Sequence, residues 1–213
     1  MDSLFESLSC FKGCCEETEL YNEFRKLAPS FLYGGYINVR DEFKIFIRTV
    51  EFYFHSESTD GIHDPIVYHR NGKDLDIVPY FPLMTLHAHN SGFDITFESP
   101  TCQYRASALI RAYEIKDNDG NYLKWVPEKK RFEKRKEYEY NTQSTFLYAI
   151  LNGFPLGRDN SIMWIDSQRQ STLPIQTHIR QGVYKSESEY YYKPLIPKIK
   201  CDREWSFTRV DKV

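Results

Sequence analysis

The sequence has no long hydrophobic run. Its apolar stretches are short and broken by charges, well below the ~18–20 apolar residues that a membrane-spanning helix needs. The N-terminal MDSLFESLSCFKGCCEE does not read as a signal peptide, because it opens with an acid and holds no sustained apolar segment, so no secretory leader is expected. The expectation is an intracellular, cytoplasmic protein. Charge of one sign is absent: 28 Lys+Arg stand against 30 Asp+Glu, a net charge of −2. That balance excludes a protein held to nucleic acid by its global charge. Cysteine is scarce, with five in 213 residues, and an odd, scattered set makes no disulfide framework. The one cluster, Cys10, Cys14 and Cys15, has no His or Cys nearby to complete a zinc site and reads as ordinary thiols near a mobile terminus. There is no internal repeat and no break in composition. A tail over 1–15 and a single domain over 16–213 follow.

What is present is 41% hydrophobic and 16% aromatic residues, enough for a real core, and this excludes disordered, collagen-like and coiled-coil chains. Leu20, Phe24 and Leu27 recur at spacings of four and three, which predicts a short amphipathic helix over 16–27 closed by Pro29. EFKIFIRTVEFYF, over 42–54, alternates like a strand with Phe43, Ile45 and Ile47 on one face. On an unbroken pleat Glu51 and Tyr53 share that face, aiming a carboxylate at an apolar side.

Further strands are predicted at 85–89, 94–98 and 106–115, separated by turn signals at Asn90-Ser91-Gly92, Ser99-Pro100 and Asp119-Gly120. The mixed-charge stretch 127–140 reads as a solvated helix or loop, or as a phosphate-contacting segment through Lys129, Lys130, Arg131, Lys134 and Arg135. Seven Lys/Arg against two acids over 124–136 make this a local basic face in a nearly neutral chain. A helix is expected at 144–151, and strand-like segments at 162–165, 182–184, 190–196 and 205–210. The fold class is α+β: one domain, mainly an antiparallel curved sheet with a few peripheral helices.

Two constellations carry chemistry. His63, His69, His87 and His89 fall within 27 positions, and His87-Ala88-His89 sets two imidazoles on one strand face, so a metal-dependent enzyme is one reading. The second is Glu51 with Tyr53 two residues on and Arg111 on another strand. A buried carboxylate can act as a general base toward water, while Glu51 and Arg111 can equally form a structural ion pair.

The order of segments adds a resemblance. Val50-Glu51-Phe52-Tyr53, Asp64-Pro65 and His69-Arg70-Asn71-Gly72 are followed in order by Thr85-Leu86-His87-Ala88-His89 with Gly92, and by Phe97-Glu98. Then come Ala108-Leu109-Ile110-Arg111-Ala112-Tyr113-Glu114, Ser144–Ile150 and Arg180-Gln181-Gly182-Val183. Over roughly residues 30 to 200 this series resembles the alkyladenine (3-methyladenine) DNA glycosylase family of the mammalian type.

The resemblance implies a monomeric, metal-free and cofactor-free enzyme that flips a damaged base out of double-stranded DNA and hydrolyses its N-glycosidic bond. Glu51 would activate the water and Arg111 would hold the water or a phosphate beside it. Tyr53 and His89 would stack on the two faces of the base, and His69, with His63 as its competitor, would contact base or phosphate. Glu98 stands where the family uses an Asn to reject normal guanine, and the family's wedge Tyr has no counterpart here. A noncatalytic relative that binds nucleic acid or a nucleotide in the same cleft is the other reading.

Overall fold

A computed structural model describes residues 3–64, 79–89, 92–129, 131–135, 162–167, 174–181 and 202–210. Two helices, α1 (Leu4–Ser9) and α2 (Glu17–Leu32), precede β1 (Gly35–Val39) and the long β2 (Phe43–Ser56). Then come β3 (Leu86–His89), β4 (Gly92–Thr96), β5 (Tyr104–Asp117), β6 (Tyr122–Val126), β7 (Arg131–Arg135), β8 (Ile162–Asp166), β9 (Ile175–His178) and β10 (Ser206–Arg209). Every described pairing is antiparallel, and the central order is β3-β4-β5-β2-β1-β8. The sheet curls into a half-barrel, the α+β architecture expected from the strand spacing.

The helices cover one face of the sheet. In α2 the buried Leu20, Phe24, Leu27 and Phe31 make one stripe, and Phe24 stacks on Phe52 of β2 with ring centroids 4.6 Å apart. Phe52 also meets Phe31, Phe97 and Phe207 edge-on, so it sits at the centre of an aromatic core. The helix does not close at Pro29 but runs on to Leu32. Proline removes one hydrogen bond in the last turn. Burial of Phe31 and Leu32 outweighs that loss.

The expected N-terminal tail is also corrected. Ser3 and Glu6 form a capping box that starts α1, which buries Leu4 and Leu8. Phe11 is buried in turn, and its carbonyl accepts a hydrogen bond from Tyr104 at 2.9 Å. The segment is part of the core.

Gly34 and Gly35 carry the chain from α2 into β1, whose first residue is Gly35. A Cβ on Gly34 would lie 2.3 Å from the Ser30 carbonyl oxygen, and one on Gly35 would lie 2.3 Å from that of Ile165. Only glycine permits both approaches.

The mixed-charge stretch is neither helix nor loop where it is described. Pro127–Lys129 form a 3-10 turn, and β7 pairs with β6 from Val126↔Arg131 to Tyr122↔Arg135, making a hairpin. The predicted helix at 144–151 and the strand-like segments 182–184 and 190–196 lie outside the described residues. Among the described residues no helix is long and apolar enough to cross a membrane.

Candidate functional site

The position of Glu51 is set by a break in β2. Its pairing with β5 shifts register between Ile47 and Val50, a bulge. Before it the odd-numbered Ile45 and Ile47 join the hydrophobic core; after it the even-numbered Val50, Phe52 and Phe54 do. One extra residue exchanges the faces. Glu51, Tyr53 and His55 therefore turn away from the helices, and the unbroken pleat expected from the sequence, with Glu51 beside Ile47, is corrected.

Across the sheet these residues fall into rows. Glu51 pairs with Leu109, which pairs with Asp94, and Tyr53 pairs with Ser107, which pairs with Thr96. His55 pairs with Arg105. Apart from the half-buried His55, these residues are all buried, so this second face is a covered polar layer.

Glu51 is 0% exposed and gathers three donors. Its Oε2 accepts from Arg111 Nε at 2.7 Å and from the Tyr53 hydroxyl at 3.1 Å, while Oε1 accepts from the backbone N–H of Gln181 at 2.7 Å. Arg111 returns to the same loop by donating to the Gln181 carbonyl at 2.5 Å. The arginine keeps 22% of its side chain exposed, so the cluster meets solvent on its side. Burial pushes the Tyr53 phenol far above its ordinary pKa, and the Glu51 charge adds to the effect. Tyr53 is a neutral donor.

Behind Tyr53 stands a stack of alternating rings and cations. The Arg180 guanidinium lies 4.6 Å from the Tyr53 centroid and 5.1 Å from that of Trp205, and Arg203 lies 4.5 Å from Trp205. Asp64, itself fully buried, ties the stack together, with Oδ2 on Arg180 Nη1 at 2.5 Å and Oδ1 3.7 Å from Arg203 Nη1. Arg203 also binds Glu17 at the start of α2. Three acids, Glu51, Asp64 and Glu17, thus balance three arginines.

The sequence-derived residues distribute unequally over this layer. Glu51, Tyr53 and Arg111 converge. Tyr53 is only 2% exposed with Arg180 over its ring, so the stacking surface expected of it is covered. His63 packs edge-on against His55 at 5.3 Å, and its Nε2 lies 3.3 Å from the Thr59 carbonyl oxygen. Glu98 belongs to a separate cluster: Oε2 accepts from the Phe81 N–H at 2.6 Å, and Oε1 lies 3.7 Å from Arg105 Nη1. Arg105 in turn binds Glu57 and lies over the Tyr80 ring. His89 ends β3, where only its backbone is described, and His69 and Lys130 lie outside the described residues.

The basic hairpin carries its own counter-charges. Glu133 contacts Lys129, Arg131 and Arg135, and Lys134 reaches Asp117 and Asp119. These bridges are largely exposed and individually weak. They nonetheless leave little net positive field on the hairpin. The His87/His89 metal reading turns on His89, whose side chain lies outside the described residues; elsewhere, among the described residues, no three His, Cys, Asp or Glu come close enough to hold an ion.

The sequence reading assigned no role to Asp64, Arg180 and Gln181, although all three sit inside the motifs that carry the resemblance. Trp205 and Arg203 carried no signal, since their contacts join positions far apart in the chain. No protein-family model, no curated protein and no solved structure matches the chain.

Proposed function

We propose that the Glu51 cluster is the catalytic centre of a DNA N-glycosylase acting on a damaged purine. One observation carries this reading: Glu51 is a buried carboxylate with three bound donors, whereas a carboxylate has about four acceptor positions. The remaining position, on Oε1, suits a single water.

In the reaction Glu51 accepts a proton from that water as its oxygen bonds to the sugar C1′ and the C1′–N bond breaks. The bond's electron pair leaves with the base, which takes up the proton. The carboxylate also stabilises positive charge developing on the sugar. Arg111 holds the carboxylate in place and, being partly exposed, offers its outer edge to a phosphate. A flipped base needs its unstacking cost of a few kcal/mol offset inside the pocket.

One observation favours the second reading, a noncatalytic nucleic-acid or nucleotide binder. The covered Tyr53 ring offers no stacking platform as it stands.

Two measurements on the full chain separate the readings, using duplexes that contain hypoxanthine or ethenoadenine. The glycosylase reading expects preferential binding to a lesion duplex and release of free base. Preferential binding without release selects the binder. Equal affinity for lesion and undamaged duplex without release overturns the glycosylase reading, and no affinity for either duplex overturns both.

A further inference from the structure

The face of the sheet turned away from the helices carries a second group of side chains, on the N-terminal side of the β2 bulge. Ile37, Val39, Ile45, Ile47, Ile115 and Leu123 join the hydrophobic core, so the residues alternating with them point the other way. Their register makes a row across four strands: Asn38 on β1, Lys44 on β2, Lys116 on β5 and Tyr122 on β6. In the next row Phe46 pairs with Glu114, and the Tyr36 ring lies 5.2 Å from that of Phe46. Lys44 Nζ stands 5.9 Å from the Tyr36 centroid, and Lys116 Nζ stands 5.5 Å from that of Phe46 and 4.5 Å from that of Tyr122. Rings and ammonium groups alternate.

Tyr36, Lys44, Phe46, Lys116 and Tyr122 are all half-buried, so each keeps part of its surface at solvent. A lysine stem over one surface ring is ordinary packing. Three rings sharing one face and two cations make a platform. The lysines do not lock it as Arg180 locks Tyr53: the Arg180 side chain is 0% exposed on a buried Asp64, whereas that of Lys116 is 29% exposed and free to swing toward an anion, uncovering the rings. Charge sorts the same way. Lys44, Arg48 and Lys116 surround one acid, Glu114, which is buried 3.5 Å from Arg48 and 3.9 Å from Lys116, while Asp41 stands at the rim and accepts from Asn38. Unlike the β6–β7 hairpin, this face has more cations than acids across its strands.

Such a face fits a partner that offers flat π-surfaces and negative charge together. Unpaired nucleotides offer both, because their bases stack on aromatic rings and their phosphates meet lysines. Paired bases keep their faces inside the duplex, so a stacking platform selects single strands. From β1 to β6 the row spans about 14 Å at the ordinary strand spacing, and sheet platforms of this kind take two or three bases.

We propose that this face of β1, β2, β5 and β6 binds single-stranded nucleic acid, with Tyr36, Phe46 and Tyr122 stacking on bases and Lys44 and Lys116 contacting phosphates. The site stands apart from the Glu51 cluster, which lies beyond the bulge, about 16 Å along β2 from Phe46.

The test is fluorescence anisotropy of the full chain with oligo(dT) and oligo(U) of about fifteen nucleotides and with the dT·dA duplex of the same length, alongside a thermal melt of each variant. Both single strands are expected to bind more tightly than the duplex. Phe46→Leu and Tyr122→Leu are each expected to lose about tenfold in affinity, and Phe46→Tyr, which keeps a π-face, is expected to retain it. Lys116→Gln is expected to weaken binding and to make the log–log salt slope shallower by about 0.7, one phosphate contact on a single strand. Where a leucine variant melts lower, Lys116→Gln carries the test, and an unchanged affinity and slope overturns the proposal. No affinity of wild type for either single strand overturns it, as does equal affinity for single strands and duplex that the leucine variants leave intact, since charge alone then accounts for binding. Binding to vesicles of phosphatidylserine and phosphatidylcholine with no affinity for the oligonucleotides assigns the face to a lipid surface and overturns it too. Hypoxanthine release from a duplex reads the Glu51 cluster separately, whichever way this test falls.

Discussion

Arg180 lies over the ring of Tyr53, its guanidinium 4.6 Å from the ring centroid, and its Nη1 donates at 3.3 Å to the carbonyl of Phe52, the residue before. One side chain thus fixes the strand that carries Glu51 and covers the ring beside it. Burial opposes its charge, but Asp64 and the neighbouring groups outweigh burial and hold the Arg180 pKa above its ordinary value.

Arg180→Met keeps much of the volume but leaves Asp64 with one more distant cation. Breaking a buried pair from one side costs about 3–5 kcal/mol. Arg180→Lys is expected to rescue only part of this, because an ammonium cannot stack its plane on two rings. Urea unfolding of the three proteins checks both statements.

Phe52→Ala removes the ring at the centre of the aromatic core. A loss of about 3–5 kcal/mol is expected, read as a lower urea midpoint with an unchanged slope.

His55 sets a pH dependence. Burial, reinforced by His63, lowers its pKa to about 4, and its Nδ1 accepts from the Asp64 N–H at 3.2 Å, which requires an unprotonated nitrogen. At high pH the ring is neutral in both folded and unfolded chains. As pH falls below the ordinary value near 6.5, the unfolded chain takes up a proton that the folded chain does not. Stability therefore drops by at most about 1.4 kcal/mol per pH unit until pH reaches about 4, where the folded state also protonates. His55→Asn keeps an acceptor and cannot titrate. The difference in unfolding free energy between wild type and this variant should shrink steadily from pH 7 to 4; a constant difference contradicts the assignment.

Glu133 restrains the basic hairpin by contacting three cations. Glu133→Gln is expected to raise nonspecific duplex affinity and to steepen its log–log salt dependence by about 0.9 for each cation that reaches a phosphate. Unchanged affinity and slope would mean that the hairpin does not face DNA.

Much of the fold is legible along the chain because the signals are local. The stripe Leu20, Phe24 and Leu27 and the alternating segment that became β2 follow from side-chain period, and β3, β4 and β5 from the turn signals that separate them. β1, β6 and β9 are only four or five residues long and carry no such signal. The β6–β7 hairpin is hidden because its charges mimic a solvated surface, while its pairing is written in register rather than composition. At the site, Glu51 and Arg111 stand out as a carboxylate and a cation on neighbouring strands. The face they occupy does not, since a one-residue bulge reverses it and nothing in RTVEFYF marks where the extra residue falls. Asp64, Arg180 and Trp205 meet only through long-range packing, which no local pattern encodes.

The most direct test is single-turnover release of hypoxanthine from a duplex by wild type and by Glu51→Gln, with circular dichroism confirming that the variant is folded. Release by wild type and a loss of at least about a hundredfold in the variant is the predicted result, the scale of a removed general base. Equal rates for the two proteins, or no release by wild type, would contradict Glu51 as the catalytic carboxylate.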